Sequence, residues 1–253
     1  MTAGYGALDV VHAVDVELPP GRVTVLVGPN GSGKSTLLKG VARLHPIRSG
    51  SIHLDQTDAR ALSGREMAQR LAMLTQGRPT PVGLTVREVV SFGRYPYRGR
   101  WNRQDPQGPA AIEHALALTG LAELAERDAD TLSGGQAQRV WLAACLAQDT
   151  DVLLLDEPTT YLDLRHQVEL LDLVRDLADH HGITVGVVLH DLDQAAELAD
   201  HLVLLDEGVV MAAGAPDEVL RADLLSRVYG LPIDVTRDPL SGRLRIAPVA
   251  RRR

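Results

Sequence analysis

The sequence predicts an α/β fold with a mostly parallel sheet and an inserted helical subdomain. Short runs rich in Val, Leu and Ile alternate with longer segments of helical period. The first strong run passes through a glycine-rich turn straight into a helix. A stretch carrying Pro79, Pro81, Pro96, Pro106 and Pro109 then interrupts the alternation with helical patches of its own.

Taken in order, "RVTVLVG" (22–28) has the unbroken apolar character of a buried strand, and "KSTLLKGVARL" from Lys34 continues as a helix that must stop before Pro46. "GSIHLD" (50–55) and "LAMLTQ" (71–76) predict two further strands. Between them Ser63 and Glu66 have the S-x-x-E spacing of a helix-starting capping box. "TVREVVSFGR" and "PAAIEHALALTGL" predict helices of the insert, and "DVLLLDEP" (151–158) returns to a strand. Leu164, Val168, Leu171, Val174 and Ala178 recur at steps of three to four, one face of an amphipathic helix ending near Gly182. "ITVGVVLHD" predicts another central strand, and "HLVLLDEGVVMAAG" a hairpin turning at Glu207-Gly208.

The 253 residues suffice for one large domain or two small ones. A net charge of -7 and 3% aromatic residues argue against a nucleic-acid-binding surface, so no nucleic acid partner is expected. The single cysteine, Cys145, excludes an internal disulfide framework and is expected in the core. No signal-peptide pattern precedes the first motif, and the apolar runs are far shorter than the roughly 18 residues that span a bilayer. Any membrane role is therefore expected to be peripheral. The terminal Arg251 to Arg253 are expected to form a solvated tail.

Residues Gly28 to Ser35 fit G-x-x-x-x-G-K-[ST], between the strand and helix that the motif requires. Glycines let the backbone fold round an anion with its N–H groups turned inward, and the helix N-terminus adds roughly half a positive charge. Gly28, Pro29, Asn30, Gly31, Ser32, Gly33, Lys34, Ser35 and Thr36 are accordingly assigned to phosphate binding. Lys34 is one of only two lysines in the chain, the other being Lys39. Its compact ammonium can reach β- and γ-phosphates where a planar guanidinium would need other space and angles. The Ser35 hydroxyl is assigned to Mg²⁺, which takes few protein ligands beside phosphate oxygens and water.

Asp156 and Glu157 end an apolar run, which delivers two carboxylates to the C-terminal edge of a sheet, where ligands collect in such folds. Asp156 suits the surroundings of Mg²⁺, and Glu157 suits orientation and deprotonation of an attacking water. "LSGGQ" (132–136) precedes the helical run "AQRVWLAACLAQ", with Ser133 and Gln136 at capping-box spacing. A capped helix start with two glycines is also a second anion-binding surface.

In order, "GPNGSGKST", "LSGGQAQR", "LLLDEP", "YLD" and "VLHD" resemble the ATP-binding cassette (ABC) ATPases, over nearly the whole chain. The resemblance implies a P-loop NTPase core with a mostly parallel sheet, a small antiparallel β subdomain and an inserted helical subdomain. It divides the chain into residues 1–78, carrying the antiparallel subdomain and P-loop; 79–148, the helical subdomain with LSGGQ; 149–235, the second part of the core; and 236–253, a C-terminal tail. It implies ATP and Mg²⁺ as cofactors and ATP hydrolysis as the activity. It further implies a head-to-tail dimer in which Ser133, Gly134, Gly135 and Gln136 of one copy close over the γ-phosphate held by Lys34 of the other. Gln76 falls on the loop linking Mg²⁺ and the γ-phosphate to the insert, and Asp163 on the dimer-contact loop. His190 falls where the family contacts the γ-phosphate and orients the glutamate, and Tyr5 where an aromatic ring stacks on adenine.

Within the family, "LTVREVVSFGRYPYRGRW", "TTYLDLRHQVELLDLVRDL" and "VLHDLDQAAELADHLVLLDEG" resemble the importers of iron-siderophore, haem and cobalamin type. This implies separate integral-membrane permease subunits, an indirect link to a substrate-binding protein, and a peripheral place on the cytoplasmic side of the membrane. Residues Arg78 to Trp101 would form part of the groove that receives a permease helix. A soluble ABC ATPase of DNA repair or ribosome function is the alternative, and the coiled-coil, zinc or second-cassette features of those members are not present in the sequence.

Overall fold

The computed structural model describes residues 1–77, 79, 81–98 and 105–249. Arg78, Trp101 and Arg251 to Arg253, which carried expectations above, lie outside the described residues. The chain begins with β1 (Thr2–Tyr5), β2 (Leu8–Val11), β3 (Val23–Val27), α1 (Lys34–Val41), β4 (Ile47–Ser49), β5 (His53–Leu54) and β6 (Thr57–Asp58). It continues with α2 (Gly64–Ala68), β7 (Leu71–Leu74), α3 (Val86–Val90), α4 (Gly108–Leu118), α5 (Gly134–Ala147), β8 (Val152–Asp156) and α6 (Leu164–His181). It ends with β9 (Thr184–Val188), α7 (Leu192–Leu198), β10 (His201–Asp206), β11 (Val209–Gly214), α8 (Pro216–Val219), α9 (Ala222–Tyr229), β12 (Ile233–Arg237) and β13 (Leu244–Pro248).

These elements form two compact units, residues 1–52 with 184–253, and residues 53–183. This division differs from the four segments read from the sequence. In the first unit β3 runs parallel between β9 and β10, and β11 pairs antiparallel with β10. Every residue of β3 and β9 is buried, as expected of a strand covered on both faces. A separate antiparallel sheet has the order β2-β1-β4. The β10–β11 hairpin turns at Glu207 and Gly208, both at positive φ (45° and 79°), the signature of a type I′ turn.

In the second unit β7 and β8 are parallel, in register from Leu71↔Val152 to Leu74↔Leu155. The helical insert has its own core. Val86, Val89 and Val90 of α3, Leu116 of α4, and Val140, Ala143 and Ala147 of α5 are all buried in one cluster. Cys145 is buried on α5, as the sequence predicts. Both capping boxes foreseen at Ser63 and Ser133 are present, and Thr85 with Glu88 forms a third.

Four local expectations are corrected. The strand expected at 50–55 is instead β4 and β5, because the chain turns at Gly50 (φ 95°), beside which Met1 packs too closely to admit a side chain. The helix expected over "TVREVVSFGR" is α-helical only through Val90 and then tightens into a 3-10 stretch, Ser91–Tyr97, that contains Pro96. The apolar face read from the sequence does not face the core at its start: Leu164 is 76% and Val168 49% exposed, and the buried stripe is Leu170, Val174, Leu177 and Ala178. Residues 236–253 do not begin as a tail, since β12 pairs with β13 from Ile233↔Pro248 to Arg237↔Leu244. The Asp238 carboxylate builds their turn by accepting from Leu240 N, Ser241 N and Ser241 Oγ at 2.7–3.0 Å.

Candidate functional site

The sequence-predicted residues fall in two places, one in each unit. In the first, β3 is followed by Gly28, whose φ of 144° and position 2.0 Å (from a would-be Cβ) from the Leu205 carbonyl oxygen admit only glycine. Pro29 to Gly33 then loop back to α1. The N-cap of α1 is Gly33, which offers its helix no side-chain acceptor. Lys34 is 5% exposed; its Nζ donates to the carbonyls of Gly28 and Pro29, each at 2.8 Å, and to Ser32 Oγ at 3.4 Å. Ser32 and Thr36 are buried beside it, while Asn30 and Gly31 face solvent. The loop thus encloses one cation within a ring of backbone dipoles.

His190 belongs to the same edge. Val188 of β9 is paired with Leu26 of β3, so His190 and Gly28 each stand two residues past a matched pair. The His190 residue is exposed there. Tyr5 ends β1, 52% exposed. One residue beside this loop was not singled out by sequence reasoning. Tyr229, at the end of α9, has its hydroxyl hydrogen-bonded at the Gly28 backbone, and burial pushes the phenol up to about 12. The residue type at 229 carries no signal of this partner.

In the second unit the β7–β8 register does for carboxylate and amide what β3–β9 does for loop and imidazole. Leu74 pairs with Leu155, and two residues past that pair Gln76 Nε2 donates to Glu157 Oε2 at 2.9 Å. Asp156 is 2% exposed. Glu157 has φ 53°, a left-handed conformation that costs a non-glycine residue about 1–3 kcal/mol. That backbone turns its carboxylate toward Gln76 and within 3.4 Å of Thr160 Oγ1.

The helix start at 133–136 adjoins this turn. Ser133 Oγ accepts from Gln136 N at 3.3 Å, and Gln136 Oε1 accepts from Ser133 N at 3.1 Å. Further along α5, Gln138 Nε2 donates to the Pro158 carbonyl at 3.1 Å. The two glycines differ: Gly134 faces open space, whereas a Cβ on Gly135 would lie 2.9 Å from the His166 ring. That ring is held by Asp163, which caps α6 by accepting from His166 N at 2.9 Å and meets Nδ1 at 2.7 Å. These bonds from His166 hold the Asp163 carboxyl below the usual range.

Ser35, Gln76 and Asp156 offer hydroxyl, amide and carboxylate oxygens, the hard donors that Mg²⁺ takes alongside phosphate and water. No cluster of three or more His, Cys, Asp or Glu side chains that could hold a metal ion by itself occurs among the described residues. Each of these donors, taken singly, is of a kind that suits Mg²⁺.

A family model described as ABC transporter matches residues 11–160. The chain belongs to the ABC transporter family. FepC, the ferric enterobactin transport ATP-binding protein of Escherichia coli (strain K12), is 43% identical over 99% of this chain and 93% of its own length. CbrD, the achromobactin transport ATP-binding protein of Dickeya dadantii (strain 3937), is 47% identical over 94% of this chain and 89% of its own. A solved metal-chelate-type ABC transporter in an inward-facing conformation superposes with a TM-score of 0.82 at 27% identity, over 94% of this chain and 90% of that one. The chain is accordingly an ABC-type ATPase that binds and hydrolyses ATP. No helix among the described residues is long and apolar enough to cross a membrane.

Proposed function

We propose that this ABC ATPase drives import of a ferric siderophore, seated on the cytoplasmic face of a membrane permease fed by a substrate-binding protein, and that it works as a head-to-tail dimer. The cargo is supported by the near full-length similarity to FepC and CbrD. The observation that carries the hydrolytic reading is the Gln76–Glu157 hydrogen bond, made by a glutamate held in a strained backbone conformation at a strand exit. Such strain persists only where the surroundings impose it, and it collects at functional sites.

On ATP binding, Lys34 Nζ would exchange its two neutral carbonyl partners for charged β- and γ-phosphate oxygens, which make hydrogen bonds roughly twice as strong. The N-terminus of α1 would add its dipole. Mg²⁺ held by Ser35, Asp156 and Gln76 would neutralise phosphate charge. Glu157 would accept the proton of the attacking water, while His190 orients that carboxylate and contacts the γ-phosphate. Ser133, Gly134, Gly135 and Gln136 would cover the γ-phosphate of the partner copy, with Asp163 at the dimer contact, and Tyr5 would stack on adenine.

Glu157→Gln is expected to keep ATP affinity and lose turnover by about 100-fold or more, the scale of a removed general base. Unaltered hydrolysis by that variant overturns the assignment of Glu157. Uptake of radio-iron-labelled ferric siderophore, in cells carrying this chain with its permease, should stop when Glu157→Gln replaces the native chain. Undiminished uptake would refute the cargo reading.

A further inference from the structure

Tyr5 sits on a turn that is braced out of proportion to its size. β1 and β2 meet at the Tyr5↔Leu8 pair, leaving a two-residue turn of Gly6 and Ala7. Arg48, on the neighbouring β4, spends its guanidinium on that turn. Nη2 donates to the Gly6 carbonyl at 2.6 Å and the Leu8 carbonyl at 3.2 Å, and Nη1 to Asp9 Oδ1 at 2.5 Å and the Ala7 carbonyl at 3.4 Å. The turn's carbonyls are thereby tied to one planar fork, which a flexible ammonium would hold less rigidly.

His45 supports the other side. Its backbone N–H donates to the Lys39 carbonyl at 3.1 Å, so it is anchored to α1, the helix that begins with Lys34. Its Nε2 meets the Gly4 carbonyl at 2.9 Å, which makes Nε2 the protonated nitrogen. The imidazole lies 4.3 Å from the Tyr5 ring, centroid to centroid, tilted by 40°. One region of the Tyr5 ring is thus backed by His45, while about half of the residue stays open to solvent.

The position of that open surface is set by β2. From Leu8, opposite Tyr5, the strand runs two residues to Val10, whose carbonyl oxygen would come within 2.9 Å of a Cβ at Gly33 of the phosphate loop. Two strand residues span about 7 Å. The aromatic residue and the phosphate loop therefore both border β2, two residues apart along it.

We infer that His45 and Arg48 are positioning residues for the nucleobase: they hold Tyr5 rigid so that stacking ATP's base does not require the ring and its turn to be ordered first. Pre-ordering of this kind raises affinity without a direct contact. The inference rests on the reading of Tyr5 as the base contact. It predicts that the two residues act on the base and leave the phosphates alone.

The test compares ATP with inorganic tripolyphosphate, which has no base, in binding to full-length Tyr5→Ala, His45→Ala, His45→Phe, Arg48→Ala and the Tyr5→Ala/His45→Ala double variant. Tyr5→Ala should weaken ATP about 5–50-fold, the scale of one base–aromatic stack. His45→Ala should weaken it about 2–10-fold, the scale of one aromatic pair, and Arg48→Ala should act in the same direction. Tripolyphosphate affinity should stay unchanged in all of them, which also reports that each variant is folded. His45→Phe should recover most of the loss, and His45→Ala should have no further effect once Tyr5 is gone. If His45→Ala weakens both ligands alike, or adds its full effect to Tyr5→Ala, the positioning role is wrong. If Tyr5→Ala leaves ATP affinity unchanged, the base contact itself is wrong and the inference fails with it.

Discussion

The loop at 28–36 and the helix start at 133–136 are both serine- and glycine-rich entries to a helix, yet they are built in opposite ways. The first has no side-chain cap, a lysine buried among its own carbonyls, and Tyr229 bonded behind its first glycine. The second is reciprocally capped, has no cation in its first turn, and leaves Ser133 and Gly134 exposed. The difference teaches how charge is divided. The first entry is the one proposed to hold the triphosphate. The second offers a helix dipole worth about 0.3–1 kcal/mol toward an exposed anion, enough to close over a phosphate already held but not enough to capture one.

The largest test of that contrast is Lys34→Ala. Loss of charge-assisted hydrogen bonds worth about 1.5–3 kcal/mol each to the phosphates should weaken ATP about 100-fold or more. Titration calorimetry checks it, and a loss under tenfold would break the division of labour. Next comes a pair of variants within the second entry. Gly135→Ala should lower stability by about 1–3 kcal/mol by displacing the His166 ring, while Gly134→Ala should change it by less than about 0.5 kcal/mol. Denaturant melts of both, side by side, decide whether one glycine is there for packing and the other for approach. Ser133→Ala should then cost about 1 kcal/mol, the usual value of an N-cap, without changing ATP affinity in the monomer.

The smallest effect concerns Tyr229. Its phenol is raised from 10.0 to about 12 in the folded chain, so the unfolded chain releases that proton first. Its contribution is fully present below pH 10 and is lost as pH rises from 10 to about 12. Thermal melts across that window should show a shallower alkaline decline for Tyr229→Phe than for the native chain.

The local grammar of the sequence was informative wherever spacing alone imposes geometry. The P-loop follows its strand, and the boxes at Ser63 and Ser133 form the bonds their spacing demands. Gln76 and Glu157 could each be named, but their hydrogen bond depends on the β7–β8 register, which periodicity does not encode. The exposed start of α6 misled for a related reason: apolar spacing at Leu164 and Val168 marks a face without saying what covers it. Tyr229 and Gln138 act through backbone groups remote in the chain, at Gly28 and Pro158, and a backbone partner leaves no residue-type signal at its own position.

The central claim is that the capped entry of one copy completes the phosphate loop of another, and Gly134→Asp in a Glu157→Gln background tests it most directly. An aspartate in the first turn favours the helix itself, yet it would set a carboxylate against the partner's γ-phosphate. With saturating ATP, light scattering should give twice the monomer mass for Glu157→Gln and the monomer mass for the double variant, with ATP bound in both. Dimers of equal strength from the two proteins, or an ATP-loaded Glu157→Gln that stays monomeric, would contradict the account.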